Sequence, residues 1–128
     1  MLLFEFCPFS NINIFEFFSV SVAVTRINAI LGSTVTLECE DSQNQKITWR
    51  GPYKRNTIYA ETNNINTNLP EDLHSRMFIT IADDTNKSYL RMVDIHIRDE
   101  GTYTCSNETN QIEEFDLRLP GKLTFRTD

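Results

Sequence analysis

No run of lysines and arginines occurs anywhere in these 128 residues, and the formal charge is −6. A nucleic-acid binder needs a basic face to neutralise phosphates, so that class is excluded. No uninterrupted apolar stretch reaches the ~18 residues of a membrane span, near either terminus. Glycine and proline number four each, and no internal repeat is visible. No long stretch carries the 3.6-residue period of an amphipathic helix. Only two histidines occur, His74 and His96. His96 follows Asp94 closely, yet no activated serine or cysteine accompanies them to complete a nucleophilic dyad. The acidic pairs Asp83-Asp84 and Asp99-Glu100 lack the ligand count and spacing of a calcium loop, and read as turn chemistry. The sequence therefore calls for no metal and no cofactor, and for no catalysis.

What is present fits one domain of ordinary globular composition. Three cysteines make an odd count, with Cys7 in an apolar N-terminal segment and Cys39 and Cys105 flanking the only tryptophan, Trp49. Residues 15–23 are short and mostly apolar, and Ser21-Val22-Ala23 puts small residues where a signal peptidase reads them. No lysine or arginine precedes Arg26, so the usual positive start of a secretory signal is missing. Residues 1–23 are taken as a leader. Its removal leaves an even pair of cysteines, as an oxidising compartment requires.

After the leader, short strands alternate with turns. Residues 24–30 form a first edge strand. Val35, Leu37 and Cys39 alternate with Thr34, Thr36 and Glu38, the period-two signature of a half-buried strand. Ile47 and Trp49 share a face of the next strand, which Gly51-Pro52 ends. Ile58 and Tyr59 seed a short strand, and residues 61–70, rich in asparagine, form an irregular edge segment or a long loop. Met77, Ile79 and Ile81 then point one way, with Phe78 and Thr80 the other way. A hairpin loop over residues 83–87 leads to a strand with Leu90 and Met92 inward, followed by Ile95. Residues 107–112 form a polar loop, and Phe115, Leu117 and Leu119 alternate in the last strand.

The stretch that organises the chain is Asp99-Glu100-Gly101-Thr102-Tyr103-Thr104-Cys105. Asp99 and Gly101 suit a tight turn. Tyr103 lies two residues before Cys105, so both side chains project to one face of an extended strand. A tyrosine there can bury its ring while its hydroxyl bonds back to the turn. A cysteine, then a tryptophan, then Asp-x-Gly-x-Tyr-x-Cys resembles the immunoglobulin superfamily. The resemblance covers residues 24–119, and the room between Trp49 and Cys105 for two extra strands makes it similar to the variable set (V-set). Trp49-Arg50-Gly51-Pro52, with Ile58-Tyr59, Asn66 and Leu69-Pro70, also looks like N-terminal domains of invertebrate nephrin-related adhesion receptors.

The resemblance implies an all-β fold, a two-sheet antiparallel Greek-key sandwich of variable type. It implies a disulfide between Cys39 and Cys105, with Trp49, Tyr103, Leu37 and Leu90 in the core. It also implies an ion pair between Arg76, opening one strand, and Asp99, preceding another. One departure is plain. Residues 113–119 read Glu-Glu-Phe-Asp-Leu-Arg-Leu, without the Phe-Gly-x-Gly bulge through which antibody and T-cell-receptor domains pair. Antibody-style pairing is therefore not implied.

Two sequons, at Asn86 and Asn107, fall in loops where a glycan could project into solvent. Arg50, Tyr53, Lys54, Arg55 and Tyr59 form a basic and aromatic group, the residue types enriched at interface hot spots. They are the expected binding face for another protein, homophilic or heterophilic. The resulting expectation is an extracellular, non-catalytic recognition module of an adhesion or immune-type receptor, either secreted or part of an ectodomain. The alternative is a secreted decoy or spacer domain. Residues 120–128 read as a tail or linker.

Overall fold

A computed structural model describes residues 23–42, 45–82 and 86–121. The leader (apart from Ala23), Cys7, residues 122–128 of the tail and residues 83–85 of the hairpin loop lie outside the described residues.

The described strands are β1 (Val24–Asn28), β2 (Val35–Glu40), β3 (Thr48–Gly51), β4 (Thr57–Glu61), β5 (Asn64–Ile65), β6 (Met77–Ala82), β7 (Lys87–Met92), β8 (Gly101–Ser106) and β9 (Gln111–Arg118). They form a six-stranded sheet in the order β1-β9-β8-β3-β4-β5 and a three-stranded sheet in the order β2-β7-β6. Pairing is antiparallel throughout, except that β1 runs parallel to β9. The result is an all-β sandwich. The first strand stops at Asn28, two residues short of the expected end. Ala29 still donates its N–H to the Arg118 carbonyl, and the chain then turns through Ser33 N–H to Ile30 O.

Alternation along each strand builds the core. Val35, Leu37 and Cys39 from β2 meet Leu90 and Met92 from β7, while Tyr103, Cys105, Phe115 and Leu117 come from the other sheet. Cys39 and Cys105, 66 residues apart in sequence, are joined across the sandwich. Closing a loop of that size stabilises by roughly 4 kcal/mol if the effect is chain entropy. Trp49 pairs in register with Cys105, and Ser88 with Cys39. The Trp49 Nε1–H donates to Ser88 Oγ at 2.9 Å, crossing between the sheets beside the disulfide. Trp49 also stacks on Phe115, with ring centroids 6.0 Å apart. A buried ring of ~200 Å² contributes about 5 kcal/mol at roughly 25 cal/mol per Å².

Ile81, on the same face of the alternation as buried Met77, is nevertheless 37% exposed at the end of edge strand β6. The asparagine-rich segment carries only the two-residue strand β5, and directly after it comes a one-turn helix, α1 (Glu71–His74), which buries Leu73. One turn is too short to leave a helical period in the sequence. The asparagines themselves cap the chain here. Asn66 donates from Nδ2 to Ile58 O and accepts at Oδ1 from Asn68 N–H.

Gly51 is fixed by close approach. A Cβ there would lie 2.4 Å from the Tyr59 ring, whereas one on Gly121 would meet nothing within 4 Å. Gly51→Ala is expected to destabilise the domain by about 1–3 kcal/mol in urea denaturation, with Gly121→Ala as the near-neutral control. Equal midpoints for the two variants would contradict this packing.

Candidate functional site

The outward face of the six-stranded sheet is organised in rows set by register. One row runs Glu114 (β9), Thr104 (β8), Arg50 (β3), Ile58 (β4). All four are half-buried. Residues opposite one another on neighbouring strands share a face, so this row places an acid at one side and a cation and an apolar group at the other. Gln111 Nε2 donates to Glu114 at 3.2 Å. The Arg50 side chain makes no hydrogen bond or ion pair among the described residues.

Beyond Arg50 the chain turns through Pro52 to Asn56. Lys54, Arg55 and Asn56 are consecutive non-glycine residues at φ 48°, 60° and 70°. Left-handed backbone costs such residues roughly 1–2 kcal/mol each. The turn is held by Arg55 N–H to Pro52 O, and Gly101, at φ 143°, leaves only 2.7 Å between Pro52 and any added Cβ. Lys54 Nζ lies 5.6 Å over the Tyr53 ring. Lys54 and Arg55 are exposed and Tyr53 is half-buried. Together these four residues present cations and one aromatic group.

Tyr59 does not join them. It is 1% exposed, its ring edge-on to Tyr103 at 5.8 Å and its hydroxyl accepting from Tyr53 N–H at 3.0 Å. The cause is a bulge. Trp49 pairs with Ala60 but Arg50 with Ile58, so Tyr59 is the extra residue and turns inward. Tyr59 therefore supports the turn from beneath and leaves the binding face.

The end of the sandwich beside this turn is closed by Arg76 and Asp99. Nη1 and Nη2 donate to Oδ2 at 2.8 Å and Oδ1 at 3.1 Å, a two-pronged contact. Hydrogen bonding to Asp99 pushes the Arg76 pKa up. Asp99 Oδ2 also accepts from His96 N–H, and the Tyr103 hydroxyl donates to Asp99 O at 2.6 Å.

The opposite end depends on a residue that sequence reasoning missed. Asp41 is 3% exposed. Its carboxylate accepts from Gln45 N–H at 2.6 Å and Asn107 Nδ2 at 3.1 Å, and its carbonyl accepts from Asn86 Nδ2 at 2.9 Å. Both sequon asparagines thus turn the nitrogen that a glycan would bond onto Asp41, and do not point freely into solvent. Asn107 Oδ1 further accepts from Thr109 N–H, Thr109 Oγ1 and Asn110 N–H, which tightens the loop so that β9 begins at Gln111.

His96 contacts Asp94 at 3.4 Å on the surface, and His74 ends α1 elsewhere. Among the described residues no group of three His, Cys, Asp or Glu side chains is placed to hold a metal. No helix among them is long and apolar enough to cross a membrane.

The family model described as "Immunoglobulin V-set domain" matches residues 23–119. Tyrosine-protein phosphatase 69D of Drosophila melanogaster is 32% identical over 110 residues. That alignment takes in 77% of this chain but only 7% of the phosphatase. Among solved structures, the first Ig domain of mouse polymeric immunoglobulin receptor superposes with a TM-score of 0.61 at 18% identity, covering 74% of this chain and 88% of that one. Dpr2 Ig1-Ig2 in complex with DIP-Theta Ig1-Ig3 gives 0.58 at 19% identity, covering 75% and 41%.

Two outcomes test the site's supports. Asp41→Ala is expected to cost about 1–2 kcal/mol in urea denaturation by leaving part-buried donors unpaired, with faster hydrogen exchange at Gln45 N–H. An unchanged midpoint would contradict a structural role for this carboxylate. Burial pushes the Tyr59 pKa from 10.0 up to about 12, and raises that of Tyr103 as well. Below pH 10 these phenols are neutral in both folded and unfolded chains, so their contribution is intact. Above it the unfolded chain ionises first, and stability declines as pH rises toward about 12. Tyrosinate absorbance should show part of the tyrosine content titrating only with unfolding; a single transition near pH 10 would contradict this.

Proposed function

The chain belongs to the immunoglobulin V-set family, and on that premise we propose that it is an extracellular protein-recognition module of a cell-adhesion or immune-type receptor. The family is typically a non-catalytic binding fold, and the likeness to the phosphatase lies in that protein's immunoglobulin region. V-set domains are generally extracellular. In this reading residues 24–119 are the module, residues 1–23 a leader and residues 120–128 a tail or linker. The 32% identity to an immunoglobulin region of a much longer phosphatase supports a receptor over a free-standing decoy or spacer.

The observation that carries the reading is Arg50. Arg50, half-buried near the middle of an open sheet, has a guanidinium without a hydrogen-bond or ion-pair partner among the described residues, which is a poor use of a cation in a domain that folds alone. It is well used if a partner's carboxylate or carbonyl completes it. Tyr53, Lys54 and Arg55 flank it on a turn held rigid from below, so little ordering is lost on contact. Arginine and tyrosine in such positions are typical binding anchors. The partner is another protein that presents acceptors to this row.

Arg50→Glu combined with Arg55→Glu should leave the melting temperature near that of the wild type. It should weaken binding to a cognate cell-surface partner, found by ectodomain screening, by at least tenfold, about 1.4 kcal/mol. Unchanged affinity in the folded double variant would remove this face from the account.

A further inference from the structure

The three-stranded sheet ends in an edge that differs from the other edges. Strand β6 pairs with β7 along its full length, from Met77 with Met92 to Ala82 with Lys87, without a bulge. Its other side pairs with nothing among the described residues. The two-residue strand β5 comes close to β6 without hydrogen bonding to it. Its sequence, Met-Phe-Ile-Thr-Ile-Ala, has no charge, no proline and no glycine. Edge strands are ordinarily protected by charges, proline, bulges or brevity. Across the same sheet, edge strand β2 carries Glu38 and Glu40 on its outer face, and the edge β5 is only two residues long. Strand β6 is six residues long, regular and apolar, and has none of these protections.

Two of its large apolar side chains are also left open. Phe78 is 44% exposed, with the Arg91 guanidinium 5.0 Å from its ring, and Ile81 is 37% exposed although its position in the alternation points inward. We infer that the outer edge of β6 pairs antiparallel with β6 of a second copy of this chain, joining two three-stranded sheets into one of six. An uncharged strand meets its own copy without like-charge repulsion, which would act against the same pairing at β2. A two-fold axis through Thr80 sets Thr80 against Thr80, Ile79 against Ile81, and Phe78 against Ala82. Opposed residues share a face in antiparallel pairing. That register therefore covers exposed Ile81 with Ile79 of the second copy and gives Phe78 a neighbour at its open side.

A seam of six residues per copy falls short of the roughly 800 Å² per partner of a standard interface. Association is therefore weak, suited to copies held at high local density on a surface. It uses the sheet opposite to Arg50 and does not depend on the recognition face.

Sedimentation velocity on the full disulfide-bonded chain, over a concentration series up to millimolar, reads the association directly. Wild type is expected to dimerise with increasing concentration. Thr80→Lys and Thr80→Glu, at an exposed position, should each weaken the dimer at least tenfold by setting like charges together at the axis. An equimolar mixture of the two variants should restore association, which also shows that both are folded. Arg50→Glu should leave the dimer unchanged. A wild type that is monomeric throughout overturns the inference. So does dimerisation undiminished in both Thr80 variants, which assigns the contact elsewhere. Strong hydrogen-exchange protection of both sides of β6 in the monomer also overturns it, by showing that the edge is covered within the chain.

Discussion

The disulfide between Cys39 and Cys105 joins the two sheets at the level where Trp49 lies between them, and the rest of the domain is arranged around that junction. Cys39 lies opposite Ser88 and Cys105 opposite Trp49, so the Trp49 to Ser88 hydrogen bond runs beside the covalent bridge. The covalent link, the buried ring and the satisfied indole N–H act on one small volume. The first two each contribute several kcal/mol, against a typical net domain stability of about 5–15 kcal/mol. Surface pairs such as Lys87 with Glu38 add little by comparison.

With the centre fixed in this way, a buried carboxylate closes each end. Asp99 ties Arg76 to the turn before β8, and Tyr103 bonds back to its carbonyl. Asp41 gathers the backbone of Gln45 and the side chains of Asn86 and Asn107. The first end carries the strained turn with Lys54 and Arg55, and the second carries the loops around the sequons. A recognition surface needs such rigid supports, because loops that must be ordered on contact lose affinity. The frame uses its acids internally and leaves Arg50 open on the sheet above.

Much of this was legible in the sequence. The alternation of Val35, Leu37 and Cys39, and the Asp-x-Gly-x-Tyr-x-Cys block, specify strands whose faces follow from a period of two. That period is also where the reading stops. A single extra residue at the Trp49/Arg50 bulge turned Tyr59 from the expected binding face into the core, and nothing in its neighbours' hydropathy announces a bulge. The helix at Glu71–His74 is one turn long, and only Pro70 before two acids hints at it. Asp41 sits in a cluster of polar turn residues, where a buried acid and a solvated one look alike. Its role depends on Asn86 and Asn107, which are distant in sequence, and the sequon pattern drew attention to glycans instead of to their amide hydrogens.

The proposed setting for this disulfide-pinned V-set domain is oxidising and extracellular. Intact mass of the chain after passage through a secretory pathway, before and after reduction, tests it most directly. The account predicts a product that begins near Val24, lacks Cys7 and gains two hydrogens on reduction, with Cys39 and Cys105 labelled only afterwards. A product that retains its N-terminus and carries Cys39 and Cys105 as free thiols would contradict it.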